Sequence, residues 1–339
     1  MIRSCSFSMV APVRLLLLLL LATLTACKAD IDFTVEQKVD NEGNDYATLS
    51  WNVQPIGSIT PTRVTLEPGF GDVDFTDSVD VFPTETTRYT LTVFAEFEDG
   101  GIANTLTNKY VYVGPRVNYD LITDTNLRAC TEGTGFTHIE QFDSLICMDM
   151  GIDSVQGIGQ LTDLKVVTLD LNNISDFATF ADLEQVHTLS LSNNNIGDLS
   201  SFPYMPALTN LVLFNNSIEN VLPLSVNPQL QNLAINNNQI SDAYQFLGVI
   251  NVTNLSIAGN EIEDITPIGN LTALQNLDAR NNRIETGVWD LRTLENAALI
   301  DLRGNGGVKC LEYANLFFIL GTAVLFDECE YPPPEAPQD

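Results

Sequence analysis

The chain has 339 residues, of which 44 are acidic and 15 basic, so its formal charge at neutral pH is −29. A surface this anionic argues against nucleic acid and against anionic lipid as partners, because like charges repel. It favours solubility and cationic ligands or divalent ions.

The first 26 residues are predicted to form an export signal. Arg14 precedes the apolar run Leu15–Leu21, which is too short to span a bilayer and fits the core of a signal peptide. The following sequence, Leu24-Thr25-Ala26-Cys27, is similar to the lipobox of bacterial lipoproteins. That resemblance implies cleavage before Cys27, diacylation of its sulfur and usually a third acyl chain on its amine. Residues 27–30 would then be a lipidated N-terminus, and several acyl chains anchor a protein stably in a membrane.

Two alternatives stay open for this segment. One alternative is an ordinary secretory signal in which the cysteine is incidental. The other concerns the start of the chain, which is either Met1 or Met9. Lys28 stands where an Asp would retain an enteric lipoprotein at the inner membrane, so the resemblance favours the outer membrane of a bacterial cell envelope. Cleavage removes Arg3 and Arg14 and no acid, leaving 44 acidic and 13 basic residues and a charge of −31.

Residues 31–114 have the alternating pattern of short β-strands. Apolar and polar residues alternate around Trp51 and around Leu91, and Pro- and Gly-containing turns separate the runs. Short strands at this spacing predict a β-sandwich with Trp51 and Leu91 in its core. The segment Pro83–Leu91 resembles the entry to a late strand of bacterial immunoglobulin-like domains. We expect the domain to be a spacer that holds the rest of the chain away from the membrane.

An acidic patch lies within this predicted sandwich. Oxygen-rich loops can bind Ca²⁺, but the spacing of these residues lacks the Gly and the terminal Glu of an EF-hand. A solvated face is the preferred interpretation, and we predict no metal and no cofactor apart from the covalent lipid. The patch consists of Asp72, Asp74, Asp77 and Asp80.

A repeat of 22 residues dominates the rest of the chain. Each repeat has the form of Leu208-x-x-Leu211-x-Leu213-x-x-Asn216-x-Ile218, and a fixed period of this size indicates a solenoid. The two apolar residues at positions i and i+2 point to one face of a short strand, and stacked repeats bury that face in a continuous core. The asparagines that mark the period are Asn172, Asn194, Asn216, Asn238, Asn260 and Asn282.

These asparagines are predicted to be structural. Each lies where the chain turns away from its strand, and its amide can donate to and accept from backbone groups of adjacent turns. Leaving such a buried group unpaired costs about 1–3 kcal/mol. The alternative is a row of amides that contact a ligand.

The repeats weaken at both ends of the solenoid, as terminal repeats do. We count eight repeats over residues 142–308; Met150 replaces the asparagine in the first, and Gly306-Gly307 interrupts the last. Residues 115–141 are predicted to form an N-terminal cap with a short helix at Asp124–Cys130. Residues 309–329 form a C-terminal cap with a helix at Cys310–Gly321, and residues 330–339 are a Pro-rich, acidic, disordered tail.

The six cysteines fit an exported protein. Cys5 is lost with the signal and Cys27 carries the lipid, which leaves one pair at each end of the solenoid. In an oxidising compartment two local disulfides are the economical interpretation, whereas a metal site would require a CxxC spacing or clustered histidines. The predicted pairs are Cys130 with Cys147 and Cys310 with Cys329.

The repeats resemble the short leucine-rich repeats of bacterial internalins. The resemblance covers residues 142–308 and implies a parallel β-sheet on the concave face, with 3₁₀ turns and irregular chain on the convex side. The complete expectation is a β-rich, two-domain protein: an immunoglobulin-like β-sandwich followed by a capped leucine-rich-repeat solenoid. Internalins usually place an immunoglobulin-like module after the repeats, so the order here differs and their role in adhesion is not carried over.

The phase of the repeat predicts a ligand-binding concave face. Side chains that flank the two buried apolar positions of each strand point outward from that face. The candidate binding residues are Ile146, Met148, Val166, Asn210, Val212, Phe214, Asn232, Asn254, Asn276, Asp278, Arg280 and Arg303.

Two groups of residues stand out within this face. One is a ladder of amides from Asn210 to Asn276, which either contact a ligand or bond one another. The other is Val212 with Phe214, which are apolar at positions where most repeats are polar; exposed aromatics often anchor partners, although a lone one needs no explanation. Toward the C-terminal end, Asp278 and Arg280 begin a mixed-charge region.

The sequence predicts a binding protein and not an enzyme. His138 and His187 are its two histidines, and the sequence contains no HExxH, GxSxG, Walker or GxGxxG motif. We expect a membrane-anchored, monomeric module that binds a protein ligand. The alternative is a structural envelope protein, or a lipoprotein that binds peptidoglycan or polysaccharide, because stacked amides also suit sugar hydroxyls.

Overall fold

The computed structural model of the protein describes residues 30–55, 60–96, 102–307, 310–321 and 324–327. The chain divides between Pro115 and Arg116 into two compact units. The predicted signal peptide, the lipidated Cys27 and the tail 330–339 lie outside the described residues.

The first unit consists of two antiparallel sheets. One contains three strands in the order β1-β2-β5, and the other contains four in the order β4-β3-β6-β7. The strands are β1 Asp30–Val39, β2 Asp45–Gln54, β3 Thr60–Glu67, β4 Gly71–Val73, β5 Thr76–Val81, β6 Thr87–Glu96 and β7 Ile102–Val111.

Both sheets contribute to one hydrophobic core, as their alternating sequence predicts. Leu49 and Trp51 from β2 and Leu66 and Leu91 from the other sheet belong to the same buried cluster. Trp51 is 4% exposed, and its indole N–H donates to the Asp74 carbonyl at 2.8 Å, so the one polar atom of this buried ring is satisfied. The predicted core positions of Trp51 and Leu91 are confirmed.

The second unit is a solenoid whose described strands form one parallel sheet of nine. Strands β8 to β14 pair in register 22 residues apart, and β14 pairs with β15 23 residues apart because the seventh repeat is one residue longer. These strands are β8 Ser144–Ile146, β9 Val166–Thr168, β10 Thr188–Ser190, β11 Asn210–Val212, β12 Asn232–Ala234, β13 Asn254–Ser256, β14 Asn276–Asp278, β15 Leu299–Asp301 and β16 Val324–Leu325.

Eight of these strands belong to the predicted repeats, and the ninth lies in the C-terminal cap. The segments that return from one strand to the next contain 3₁₀ helices, as their short length predicts. Together with the parallel sheet they confirm the predicted solenoid. The 3₁₀ helices of the return segments are Ile158–Gln160, Ala178–Asp182, Leu222–Val226, Ala243–Gly248, Thr266–Asn270 and Val288–Thr293.

The repeat asparagines connect each turn of the solenoid to the preceding one. Asn238 shows the pattern: its Nδ2 donates to the carbonyls of Leu213 and Ile235 at 3.0 Å, and its Oδ1 accepts from the Ile218 amide at 2.9 Å. Asn305 in the last repeat makes the same kind of bonds. Each side chain therefore supplies partners to backbone groups that a three-residue strand leaves unpaired.

Several of the acidic residues hold turns. Asp198, Asp242 and Asp264 occupy the same place in three repeats, and each Oδ1 accepts from the amide two residues further on at 2.8–2.9 Å. Short acidic side chains commonly stabilise turns in this way. Part of the negative charge of the chain therefore belongs to the fold.

A cap covers the N-terminal end of the solenoid core. It contains the helix α1 Thr125–Gly133, whose Leu127 is fully buried, and a disulfide joins Cys130 to Cys147. The Oδ1 of Asp124 caps α1 by accepting from the amides of Asn126 and Leu127 at 2.9 Å. Its Oδ2 accepts from the amides of residues 153 and 154 in the first repeat, so one carboxylate connects cap and repeat.

A second cap covers the C-terminal end. Helix α2 Cys310–Leu320 buries Tyr313 and Leu316, and the Tyr313 hydroxyl donates to the Asn305 carbonyl at 3.2 Å. Cys310 is disulfide-bonded, while Cys329, its predicted partner, lies outside the described residues. None of the helices in the described ranges is both long and apolar enough to cross a membrane.

We predict that Asn238→Ala lowers the free energy of unfolding by about 2–4 kcal/mol, because it leaves several buried backbone groups without partners. Chemical denaturation followed by circular dichroism measures the change. Asn236→Ala is the matched control, since the Oδ1 of Asn236 has no partner among the described residues. An equal loss in both variants would contradict the structural role of Asn238.

A second prediction concerns pH and Asp124. Burial raises the pKa of its carboxyl, but the backbone amide hydrogen bonds outweigh burial and hold the pKa below its usual value. A depressed pKa contributes stability above the pKa of the unfolded state, about 3.9, and that stability disappears as the pH falls through the folded pKa. At pH 7 Asp124→Asn, which keeps only one acceptor oxygen, should cost about 1–2 kcal/mol.

The measurement is denaturation of both proteins between pH 7 and pH 2. The difference between their unfolding free energies should shrink below about pH 4, because protonation removes the advantage of the carboxylate. A difference that stays constant over this range would show that the ionised form of Asp124 contributes nothing.

Candidate functional site

Three columns of side chains cover the concave face of the solenoid. They come from the residues before, between and after the two core positions of each strand, and alternation along the strand directs them away from the core. The first column runs from Ser144 to Leu299 and includes Val166, Asn210, Asn232, Asn254 and Asn276. The second runs from Ile146 to Asp301, and the third from Met148 to Arg303.

The asparagines of the first column bond one another. Asn232 Nδ2 donates to Asn210 Oδ1, Asn254 donates to Asn232, and Asn276 donates to Asn254 at 2.6 Å. Asn210 in turn donates to Thr188 Oγ1 at 3.2 Å, so the chain of hydrogen bonds crosses β10 to β14. Of the two interpretations of this ladder, mutual bonding is the one that the structure shows. The ladder is therefore a polar wall whose amides already have partners.

A groove of about 290 Å³ lies beside the amide ladder. The second column carries short side chains here, among them Val212, Ala234 and Ser256, and these leave the space of the groove unfilled. Its surface is predominantly apolar. The complete lining is Asn210, Leu211, Val212, Asn232, Leu233, Ala234, Asn254, Leu255, Ser256, Asn276, Leu277, Asp278 and Leu299.

Half of the predicted binding residues line this groove and half do not. Leu299 also lines it and was missing from the predicted set, although the repeat phase places it one residue before the core position Ile300. The predicted residues in the groove are Asn210, Val212, Asn232, Asn254, Asn276 and Asp278. Those outside it are Ile146, Met148, Val166, Phe214, Arg280 and Arg303.

Phe214 lies in the third column, two residues after Val212 in the same repeat. It is half-buried and not fully exposed as the sequence suggested, and Ser192, at the same column position of the preceding repeat, is completely buried. Asn236, at the same position in the following repeat, has an Oδ1 that is buried without a hydrogen-bond partner among the described residues. The Phe214 ring is therefore only partly accessible, and the next repeat has the unpaired acceptor Asn236 Oδ1 in the same column.

Apolar residues are also exposed at the N-terminal end of the concave face. Ile146 is 63% exposed, and Met148 and Leu171 are exposed nearby in the first two repeats. Polar side chains of the second and third repeats separate this patch from the groove: Asp170 Oδ1 accepts from Ser190 Oγ at 2.7 Å. The two apolar regions are therefore distinct.

Ion pairs occupy the C-terminal end of the face. Arg280 Nε and Nη2 lie 2.8 and 2.9 Å from the two carboxylate oxygens of Asp278, and Arg303 pairs in the same way with Asp301. Asp301 is only 5% exposed, so it lies beneath its arginine and does not project from the face as the repeat phase suggested. For both aspartates burial raises the pKa, but the arginines outweigh burial and hold it below its usual value.

The remaining sequence candidates do not form a second site. His138 is fully buried within the N-terminal cap, and His187 is exposed with its ring bonded to Thr188 Oγ1. Within the described ranges, no group of three or more His, Cys, Asp or Glu side chains is arranged to hold a metal ion. In the predicted acidic patch, Asp72 pairs with Arg63 instead of converging on a common centre.

Comparison with solved structures finds internalins of Listeria monocytogenes. Internalin C2 has a TM-score of 0.54 and 26% identity, and the match covers 63% of this chain and 98% of that one. An internalin designated inlF has a TM-score of 0.43 and 20% identity over 62% of this chain and 77% of its own. The functional domain of InlJ has a TM-score of 0.32 and 17% identity over 56% and 57% of the two chains.

No protein-family model matches the sequence, and no curated protein matches it either. The comparisons therefore establish the fold of the solenoid: it is similar to internalins, which are leucine-rich-repeat proteins, and has the parallel sheet typical of that repeat.

Proposed function

We propose that this protein is a non-catalytic binding module of the bacterial cell envelope that captures a protein ligand on its concave face. The observation that carries the proposal is the apolar groove beside Val212. Most grooves of a soluble protein surface that serve recognition combine an apolar centre with polar groups at the rim. Here the amide ladder of the first column supplies one rim, and Phe214 lies in the third column, on the other side of the second.

The length and openness of the groove favour a protein ligand over a small molecule. The groove is open and extends across β11 to β15, which are about 4.8 Å apart, so it spans roughly 19 Å. Partners of such surfaces gain affinity mainly from a few buried apolar or aromatic anchors. Val212 and Phe214 are the apolar pair closest to one end of the groove, and we propose that they are the principal anchors.

We further propose that the chain is attached to the outer membrane through lipid on Cys27. The support is the sequence Leu24–Cys27 after an apolar run, followed by Lys28. The predicted disulfides support an oxidising compartment, and Cys130 and Cys147 form one. The protein would act as a monomer, since one solenoid carries the complete groove.

For the first unit we propose an immunoglobulin-like spacer. In immunoglobulin constant domains strands 1, 2, 5 and 4 form one sheet and strands 3, 6 and 7 the other. Here β4 joins the edge of the second sheet and the remaining order is the same. A shared core between the sheets gives the stiffness that a spacer requires.

The absence of a catalytic role is also part of the proposal. Of the two histidines, His138 is buried and His187 bonds a neighbouring threonine. The acids with lowered pKa values, such as Asp198 and Asp264, hold turns of the repeats. Their hydrogen bonds give them a structural explanation, so they need no role in acid–base chemistry.

We predict that the double variant Val212→Ser and Phe214→Ala loses at least about tenfold in affinity for its partner, the equivalent of 1.4 kcal/mol. The measurement is a pull-down from detergent-solubilised envelope extract with the purified full chain. Val226→Ser with Tyr244→Ala is the matched control, because these residues are exposed on the 3₁₀ return segments and not on the concave face.

The outcomes separate the alternatives. Equal capture by native chain and concave variant would place the binding site elsewhere. Capture of no protein, combined with sedimentation of the chain with purified peptidoglycan, would favour the polysaccharide-binding alternative. Failure of both assays would favour a structural envelope protein.

A further inference from the structure

Two arginines form a matched pair at the C-terminal end of the concave face. Asp278-Ala279-Arg280 and Asp301-Leu302-Arg303 occupy the same positions in adjacent repeats, and Asp278 lies opposite Asp301 in the paired strands β14 and β15. The backbones that carry the two arginines therefore lie about one strand spacing apart, roughly 4.8 Å, and both guanidinium groups approach the same carboxylate, Asp301. Asp278 also lines the apolar groove, so the pair adjoins its end.

The aspartates fix the orientation of both guanidinium groups. Each carboxylate accepts from Nε and Nη2 of its own arginine. Arg280 Nε also lies 3.6 Å from Asp301 Oδ2, which couples the two pairs. A guanidinium has five N–H donors in a planar fork. Binding along the Nε–Nη2 edge leaves the Nη1 side unused, and among the described residues neither Nη1 donates a hydrogen bond.

Burial places the positive charges above the negative ones. The side chains of Asp278 and Asp301 are 24% and 7% exposed, whereas those of Arg280 and Arg303 are 44% and 48% exposed. Beyond the end of the groove the guanidinium groups are therefore more accessible than the carboxylates, although Asp278 lines the groove itself and neither arginine does. The carboxylates remain ionised at neutral pH because their pKa values are below the usual range, so the orientation persists.

Stability alone does not require both arginines. The nearly buried Asp301 needs a cation, which Arg303 supplies. The Asp278–Arg280 pair, whose side chains are 24% and 44% exposed, contributes about 0–1 kcal/mol, because water screens it. Pre-oriented arginines with a free edge are instead a common means of recognising planar anions. The formal charge of −29 opposes the approach of a multiply charged anion and penalises a singly charged one less.

We propose that Arg280 and Arg303 together bind a carboxylate group of the protein ligand, whose adjoining apolar residues occupy the groove. This inference rests on the proposed function and names the chemistry at one end of the same site. The carboxylate comes either from the C-terminus of the partner or from an Asp or Glu side chain, and both sources present the same planar, singly charged group.

The first test titrates the full chain with sodium acetate at constant ionic strength and follows the Nε–H resonances of its arginines by NMR. The signals of Arg280 and Arg303 should shift saturably, and Arg280→Gln should abolish the shift of Arg303. Arg283 is the matched control, because it pairs with Glu261 and lies outside the three concave columns. Equal, non-saturating drift of all arginine signals would overturn the proposal, as would saturation by methyl phosphate but not by acetate.

The second test distinguishes the sources with three peptides. Acetyl-Leu-Val-Leu with a free carboxyl terminus and acetyl-Leu-Glu-Leu amide each carry one carboxylate, whereas acetyl-Leu-Val-Leu amide carries none. Binding of either carboxylate peptide at least about tenfold tighter than the neutral amide, with the advantage lost in Arg280→Gln/Arg303→Gln, supports the proposal and identifies the source. Equal binding of all three peptides overturns it.

The pull-down separates this inference from the proposed function. If Arg280→Gln/Arg303→Gln captures the partner as well as the native chain and Arg283→Gln do, the carboxylate inference is wrong and the proposed function stands. If the native chain captures no protein, the proposed function fails, and the assignment of the carboxylate to a protein ligand fails with it.

Discussion

The hydrogen bonds of the buried repeat asparagines are the interaction on which the solenoid depends. A strand of three residues cannot satisfy the backbone of a 22-residue repeat, and a buried unpaired amide or carbonyl costs about 1–3 kcal/mol. Asn194, Asn238 and Asn282 each donate to carbonyls in two successive turns. A single side chain that both donates and accepts thus fixes the distance between turns and the register of the strands.

That register determines what the concave face can be. Because strands pair 22 residues apart, equivalent residues of successive repeats form straight columns. Amides at the same position, such as Asn232 and Asn254, then come close enough to bond one another. Short side chains at the neighbouring position, such as Ala234, leave a groove. The candidate site is therefore a product of residue size within columns, and no insertion or special loop is needed to build it.

The regular parts of this structure are predictable from the sequence because the period alone specifies them. Leu211, Leu213 and Asn216 give the phase of the sheet, the identity of the buried positions and the outward direction of Val212. The half-buried position of Phe214 and the burial of Asp301 are not predictable in this way, because both depend on side chains from other repeats. Whether the ladder amides bond one another or a ligand depends likewise on the exact spacing between strands.

The overall charge of the chain is a poor guide to what its concave face recognises. The carboxylates of Asp124, Asp198 and Asp242 accept hydrogen bonds from backbone amides of caps and turns, so their negative charges stabilise the fold. Asp278 and Asp301 pair with Arg280 and Arg303 and are less exposed than these arginines. Near a surface the effective dielectric constant is about 20, and an interaction falls with distance and with screening. A ligand group in contact with Arg280 therefore experiences nearby donors more strongly than distant carboxylates, and a local preference for an anion is compatible with a strongly acidic chain.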